Sequence, residues 1–426
     1  MSSNAHVSQL NSETQLETSR VRAIGISAQV AEFVEANRFL LVFAVMSSFM
    51  GVTVGMAQVT TSLYAVQLGC SETMLGLIAG SQSVGVLVMS LPVGVLVDRF
   101  GPARLFVLGT VLSGATYACM PLGASPGHLL LCTTAISFFM PLRFVSLNTV
   151  FLQQLAALGE AKAGWYRGTH MVGMYLIGPV FAAKVVSWLG YAGSYWLIAV
   201  TFGVTALISR IVFGPYAGKP NVLAVLNLRS LRAQLGLLVG DRELRRLSLV
   251  ECLTQAISAY FTFFIVVIAV SVAHLGTERA SSLVSAKGLT YIVALFALGG
   301  IVRKLGATRA YLTSFTVAAG GLAALGYAAS PGLLWFGSLA LGLGLGTLQI
   351  ANLTRYARVG HRVGHGKVSG INALAGPTGG ILGNLCGGII GGFFSLQAVF
   401  LAFAAVLLFA SLPLLRQLRS PQLERI

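Results

Sequence analysis

Residues 94–104 read Gly94-Val-Leu-Val-Asp98-Arg99-Phe-Gly101-Pro-Ala-Arg104, and 205 positions later the chain repeats the pattern as Gly299-Gly-Ile-Val-Arg303-Lys304-Leu-Gly306-Ala-Thr-Arg309. Each copy opens on Gly, carries a charged pair, places Gly two positions after it and sets a basic residue at the next segment. Both copies sit between long apolar runs. A short polar loop recurring at such a distance means that a multi-helix unit is duplicated. A second echo pairs Gly178-Pro179 with Gly376-Pro377.

The apolar runs identify the solvent. Of the 426 residues 56% are hydrophobic and 9% are charged, against roughly a quarter charged in soluble domains. Mean hydropathy is +0.82. A membrane helix needs about 20 apolar residues, because the hydrocarbon core is about 30 Å thick and each residue rises about 1.5 Å. Runs free of Asp, Glu, Lys and Arg, divided at Pro121–Gly127, Ser330-Pro331-Gly332 and Gly391-Gly392, predict twelve spans. They cover 39–63, 73–97, 104–121, 128–152, 166–188, 191–213, 247–272, 281–302, 309–329, 331–354, 367–390 and 393–415. The expected class is an all-α membrane protein with two pseudo-symmetric six-helix bundles. An N-terminal tail (1–38), a first bundle (39–213), a middle loop (214–246), a second bundle (247–415) and a C-terminal tail (416–426) follow from this division. The first 37 residues are too polar for a cleavable signal peptide.

The net charge is +16 and the pI about 10.1. The basic residues lie between apolar runs rather than in one patch, which reads as membrane topology and excludes a nucleic-acid partner. With both termini cytoplasmic, every Lys and Arg except Arg143, Lys184, Arg279 and Lys287 falls on the inner face. The expected location is a plasma membrane of the bacterial inner-membrane type, with the lipid bilayer as partner and the monomer as functional unit.

Ionisable groups within spans cost roughly 2.5–3.5 kcal/mol each on insertion scales and therefore face cavities or partners. Arg143 lies deep in the fourth span and Lys287 early in the eighth, and Glu251 is the one carboxylate well inside a span. Gln58, Gln82, Gln255, Gln349 and Asn352 are uncharged polar candidates for a cavity wall. Each carries an alternative structural reading: an interhelical hydrogen bond for the amides, a clamp satisfied by helix carbonyls or Asn148 for Arg143. The five cysteines show no paired spacing, His361 and His365 are flanked by glycines, and no nucleotide-binding loop is present, so neither metal nor cofactor is expected.

The 94–104 loop resembles the signature of the major facilitator superfamily, here at Gly94, Asp98, Arg99, Gly101 and Arg104, with Ala103 in place of a second basic residue. With twelve spans and a degenerate second copy, the resemblance covers nearly the whole chain. It implies a secondary transporter, not an enzyme, in which the loop is a conformational latch and Asp98 meets the N-terminal end of the eleventh span in one state. Met174 through Ala183, with Gly178-Pro179, is similar in part to the kink motif of the family's exporters. The family plan places the fourth, fifth, seventh and eighth spans around a central cavity, and so brings Arg143 and Lys287 near the substrate. The resulting expectation is proton-driven export of a small amphipathic, anionic or zwitterionic compound of the drug or siderophore kind, with Glu251 or Asp98 as coupling candidates. The alternative is proton-coupled uptake of an organic anion. A membrane-embedded enzyme would need clustered catalytic groups and a sensor an appended soluble domain; the sequence offers neither.

Overall fold

The computed structural model describes residues 35, 37–90, 92–158, 164–213, 236, 238, 240–363 and 365–419. Most of the predicted N-terminal tail, the bulk of the middle loop and the end of the C-terminal tail lie outside them. Every regular element among the described residues is helical. The first half comprises α1 (Arg38–Gln67), α2 (Glu72–Met89), α3 (Pro92–Phe100), α4 (Pro102–Cys119), α5 (Pro126–Leu158), α6 (Gly164–Val172) and α7 (Gly178–Phe213), with a π-turn, Gly173–Ile177, between the last two. The second half comprises α8 (Arg242–Ser271), α9 (Thr277–Ala297), α10 (Gly299–Leu305), α11 (Ala307–Gly326), α12 (Pro331–Val363), α13 (His365–Phe393) and α14 (Leu396–Arg419).

Ten helices among the described residues are long and apolar enough to cross a membrane. The longest such run, Gly168–Ile211, reverses at Gly190, where φ is 67°. The remaining predicted span is α11, which packs like its neighbours but carries Thr308, Arg309, Thr313, Ser314 and Thr316, so its apolarity is lower. Several boundaries differ from the sequence reading. The predicted second and eighth spans are each broken near their ends, before Pro92 and at Leu298, leaving short helices α3 and α10 under the signature loops. The helix runs through Gly391-Gly392 and turns instead at Phe394-Ser395. α8 starts five residues earlier than expected, because the Asp241 carboxylate accepts from the Glu243 and Leu244 amides and caps it.

The duplication is legible in the packing. α4 packs on α5 and α7, and its counterpart α11 packs on α12 and α14; α2 packs on α5 as α9 does on α12. Between the halves, α2 lies against α13, and α9 against α7 and the π-turn, so the two crossings are copies of one another. The signature loops match in backbone as well. Gly101 has φ 85° and ψ 147°, Gly306 φ 76° and ψ 162°, a region that essentially only glycine occupies. That conformation reverses the chain between α3 and α4, and between α10 and α11, within one residue.

The α2–α13 crossing brings backbone onto backbone. A Cβ on Gly76 would stand 2.7 Å from the Gly388 Cα, and one on Gly388 would stand 2.5 Å from the Gly76 Cα. Asn384 adds a hydrogen bond from Nδ2 to the Ala79 carbonyl at 3.2 Å. These residues lie toward the face of the 68–71 and 394–395 turns, called here the far face; the Asp98 and Arg303 loops mark the opposite, loop face.

Candidate functional site: a polar cavity between the halves

Two adjoining cavities, of about 300 and 640 Å³, share Ser83, Val86, Tyr175, Gln255, Ser258 and Ala259 on their walls. The walls come from both halves: α1, α2, α4, α5, α6 and the π-turn on one side, α8, α9, α12 and α13 on the other. The larger cavity extends to Phe296 and Leu353, toward the loop face. On the far face the α2–α13 contact closes the space.

Of the residues expected to line a cavity, Gln58 and Gln82 border the smaller one, Gln349 the larger, and Gln255 both. Glu251 also reaches the larger cavity, at 4% exposure. Its carboxylate accepts from Gln255 Nε2 at 3.0 Å and from Asn352 Nδ2 at 2.8 Å, and the Asn352 carbonyl oxygen accepts from the Tyr311 hydroxyl at 3.0 Å. Asn352 therefore stands behind the wall rather than on it. No cation pairs with Glu251 among the described residues; Arg362 instead pairs with Asp241 and Glu243 at 2.7 and 3.4 Å.

The two membrane cations are placed differently from the sequence expectation: neither borders either cavity. Arg143 is fully buried inside the first half, donating from Nε to the Thr110 hydroxyl at 3.2 Å and from Nη1 to Met140 Sδ at 3.5 Å. Its guanidinium lies 4.0 Å from the Phe202 ring centroid. These contacts reach Thr110 on α4 and Phe202 on α7, both within the first half. Lys287, at 1% exposure, donates to the Ser258 hydroxyl at 2.7 Å, with Nζ 4.8 Å from the Tyr175 ring, 5.7 Å from Phe261 and 5.8 Å from Tyr291. It sits one layer behind the wall in an aromatic box to which both halves contribute. The reason for an anionic cargo, two cations on the path, is thereby removed.

The signature-loop residues stand apart from the cavity. α3 is held by Val93 and Val97, buried against Leu105 and Leu142, which leaves Asp98, Arg99 and Arg104 exposed. The Arg99 guanidinium lies over the Phe100 ring at 5.5 Å. Among the described residues Asp98 has no hydrogen bond or ion pair, so the contact with the eleventh span that the resemblance implies is absent in this state. A Cβ on Gly94 would meet nothing within 4 Å. Exposure at the loop also separates Asp98 from the cavity as a coupling group.

The Gly178-Pro179 bend takes the form of the π-turn. Proline cannot donate to residue 175, and the Gly178 amide reaches back five residues to the Gly173 carbonyl instead. Gly178 itself faces α1, close to Val52 and Gly55, and not the cavity.

Sequence reasoning missed His170, which lines the smaller cavity with Nδ1 3.1 Å from the Ser47 carbonyl, and the α13 amides Asn372 and Asn384. The rule that found Gln58 would have found both amides, since each stands within an apolar, glycine-rich run.

Comparison with known proteins decides the family. The model of the Major Facilitator Superfamily matches residues 41–365 and 252–426. The chain belongs to the major facilitator superfamily. It is a multi-pass membrane transporter of this family and not an enzyme. The multidrug efflux pump Tap of Mycobacterium tuberculosis and of Mycobacterium bovis is 23% identical to it over 193 residues, 43% of this chain. The match spans 46% of the pump, under half its length. Among solved structures, the nucleoside transporter NupG superposes with a TM-score of 0.72 at 15% identity, over 89% of this chain and 99% of that one. A POT family transporter solved with a peptide conjugate gives 0.71 at 14%, over 90% and 97%. These likenesses establish the superfamily fold.

Proposed function

We propose that this superfamily member exports a small amphipathic compound by alternating access, driven by protons, with Glu251 as the group that takes up and releases the proton. The observation that carries the reading is the position of Glu251: a carboxylate at the cavity edge, held by the neutral amides of Gln255 and Asn352 with no cation beside it. Alternating access presents a carboxylate on this wall to each compartment in turn. Similarity to the efflux pump Tap over part of the chain supports outward transport. The Lys and Arg excess on the loop face supports a cytoplasmic loop face and cytoplasmic termini in a bacterial inner membrane, with the monomer as the working unit.

The test uses inside-out vesicles with an acidified lumen and an acridine-orange readout, challenged with a panel of small amphipathic metabolites. At least one compound is expected to dissipate the gradient through the wild-type chain and not through Glu251→Gln. Equal dissipation by the variant would remove Glu251 from coupling. Proton-driven accumulation in right-side-out vesicles would reverse the direction.

A further inference from the structure

We infer that the cargo recognised in this cavity is an uncharged, polyhydroxylated ring compound of the glycoside or nucleoside kind. The inference rests on the transporter reading above and concerns what the same cavity binds.

Three observations carry it. First, the positions that would receive a charged ligand are already filled from within the chain. The aromatic box of Tyr175, Phe261 and Tyr291, which would suit an organic cation, holds the Lys287 ammonium. Each oxygen of the Glu251 carboxylate already accepts an amide hydrogen bond, from Gln255 and Asn352. Second, no Lys or Arg borders either cavity, and His170 on the wall of the smaller one already meets the Ser47 carbonyl through Nδ1, so an anion would enter without a Lys or Arg partner.

Third, the wall carries carboxamides with unmet hydrogen-bonding capacity. Gln82 Nε2, Gln349 Oε1, Asn372 Oδ1 and Asn384 Oδ1 are buried and find no partner among the described residues. Gln349 and Asn384 are 7% and 4% exposed. The orientation of Asn384 is set by its donation to the Ala79 carbonyl, which leaves its oxygen as an acceptor in want of a donor. Buried polar groups of this kind are otherwise rare and costly. Hydroxyl groups both donate and accept, so a ligand bearing several of them answers either end of each amide. The amides come from both halves: Gln82 on α2, Gln349 on α12, Asn372 and Asn384 on α13. The apolar remainder of the wall, with Phe144, Phe263 and Tyr291, supplies a surface for a ring.

The test is equilibrium binding to the purified full chain in nanodiscs, with no gradient applied. Radiolabelled uridine, lactose and salicin serve as neutral hydroxylated probes, tetraphenylphosphonium and benzoate as charged ones. At least one neutral probe is expected to bind saturably. Gln349→Leu and Asn372→Leu should each weaken it about three- to tenfold, the loss of one neutral hydrogen bond, while the thermal unfolding midpoint certifies folding. Saturable binding of a charged probe alone, of none of the five, or of a neutral probe with unchanged affinity in both folded variants would overturn the inference. Gradient dissipation by other compounds would in that case leave the export reading standing. Binding of a neutral probe without proton coupling would instead sink the export reading and leave this one.

Discussion

Replacing Gly388 with Ala should open the far face. In the structure the added methyl carbon would stand 2.5 Å from the Gly76 Cα, 2.9 Å from the Glu72 carbonyl oxygen and 3.0 Å from the Gly76 nitrogen. All three are backbone atoms of α2, so no side-chain rotation relieves the clash. Carbon atoms rest at about 3.5–4.0 Å, and the two helices must therefore part locally by about 1 Å. Overpacking of this kind costs typically about 1–3 kcal/mol. The cost falls only on the state in which α2 and α13 touch, and it shifts the balance between far-face-closed and far-face-open forms by about five- to 150-fold. Spin labels at Leu68→Cys and Phe394→Cys, in a background lacking the five native cysteines, would report the distance across the far face by double electron–electron resonance. Gly388→Ala should add a longer component to the distribution. Gly320→Ala, where the new methyl meets nothing within 4 Å, should leave it as it was. An unchanged distribution in folded Gly388→Ala would refute both the steric argument and the role of this crossing as a gate.

Arg143→Lys keeps the charge but loses the planar stack on Phe202 and the bond to Thr110, so thermal stability should fall by about 1–2 kcal/mol while probe affinity holds. A fall in affinity with unchanged stability would return Arg143 to the substrate path. Gly101→Ala and Gly306→Ala force a side chain into a glycine-only conformation and should each cost about 1–3 kcal/mol, read as a lower unfolding midpoint in detergent. Asp98→Asn should leave membrane insertion and stability intact but sharply reduce turnover, since Asp98 makes no contact to lose in this state; normal turnover would remove the latch. Arg362→Ala should cost less than about 1 kcal/mol by thermal unfolding, because the Arg362 side chain is 58% exposed and its pairs with Asp241 and Glu243 are screened.

The fold was legible because the bilayer writes its thickness into the sequence. Runs such as Phe39 to Ser71 and Cys252 to Thr277 have no other physical reading, and the paired loops at Asp98 and Arg303 disclosed the duplication. Helix breaks were less legible: glycine pairs permit a turn without requiring one, and α13 continues through Gly391-Gly392 because its neighbours supply the packing. The site was half legible. Glutamines within apolar spans mark the wall, since an amide there must meet either a cavity or a partner. Whether Arg143 faces the cavity or its own bundle depends on helix rotation by less than a turn, and on Phe202 and Thr110 arriving from distant segments. Those contacts leave no local trace in the chain.

The α2–α13 seal has a further consequence. It is made where glycine backbone meets glycine backbone, so shape alone decides whether it holds. The opposite face presents Asp98, Arg99, Arg303 and Lys304, all exposed, and any contact these charges form on closing is weakened by dissolved ions. Ionic strength can thus tune one doorway of the transport cycle while leaving its counterpart indifferent.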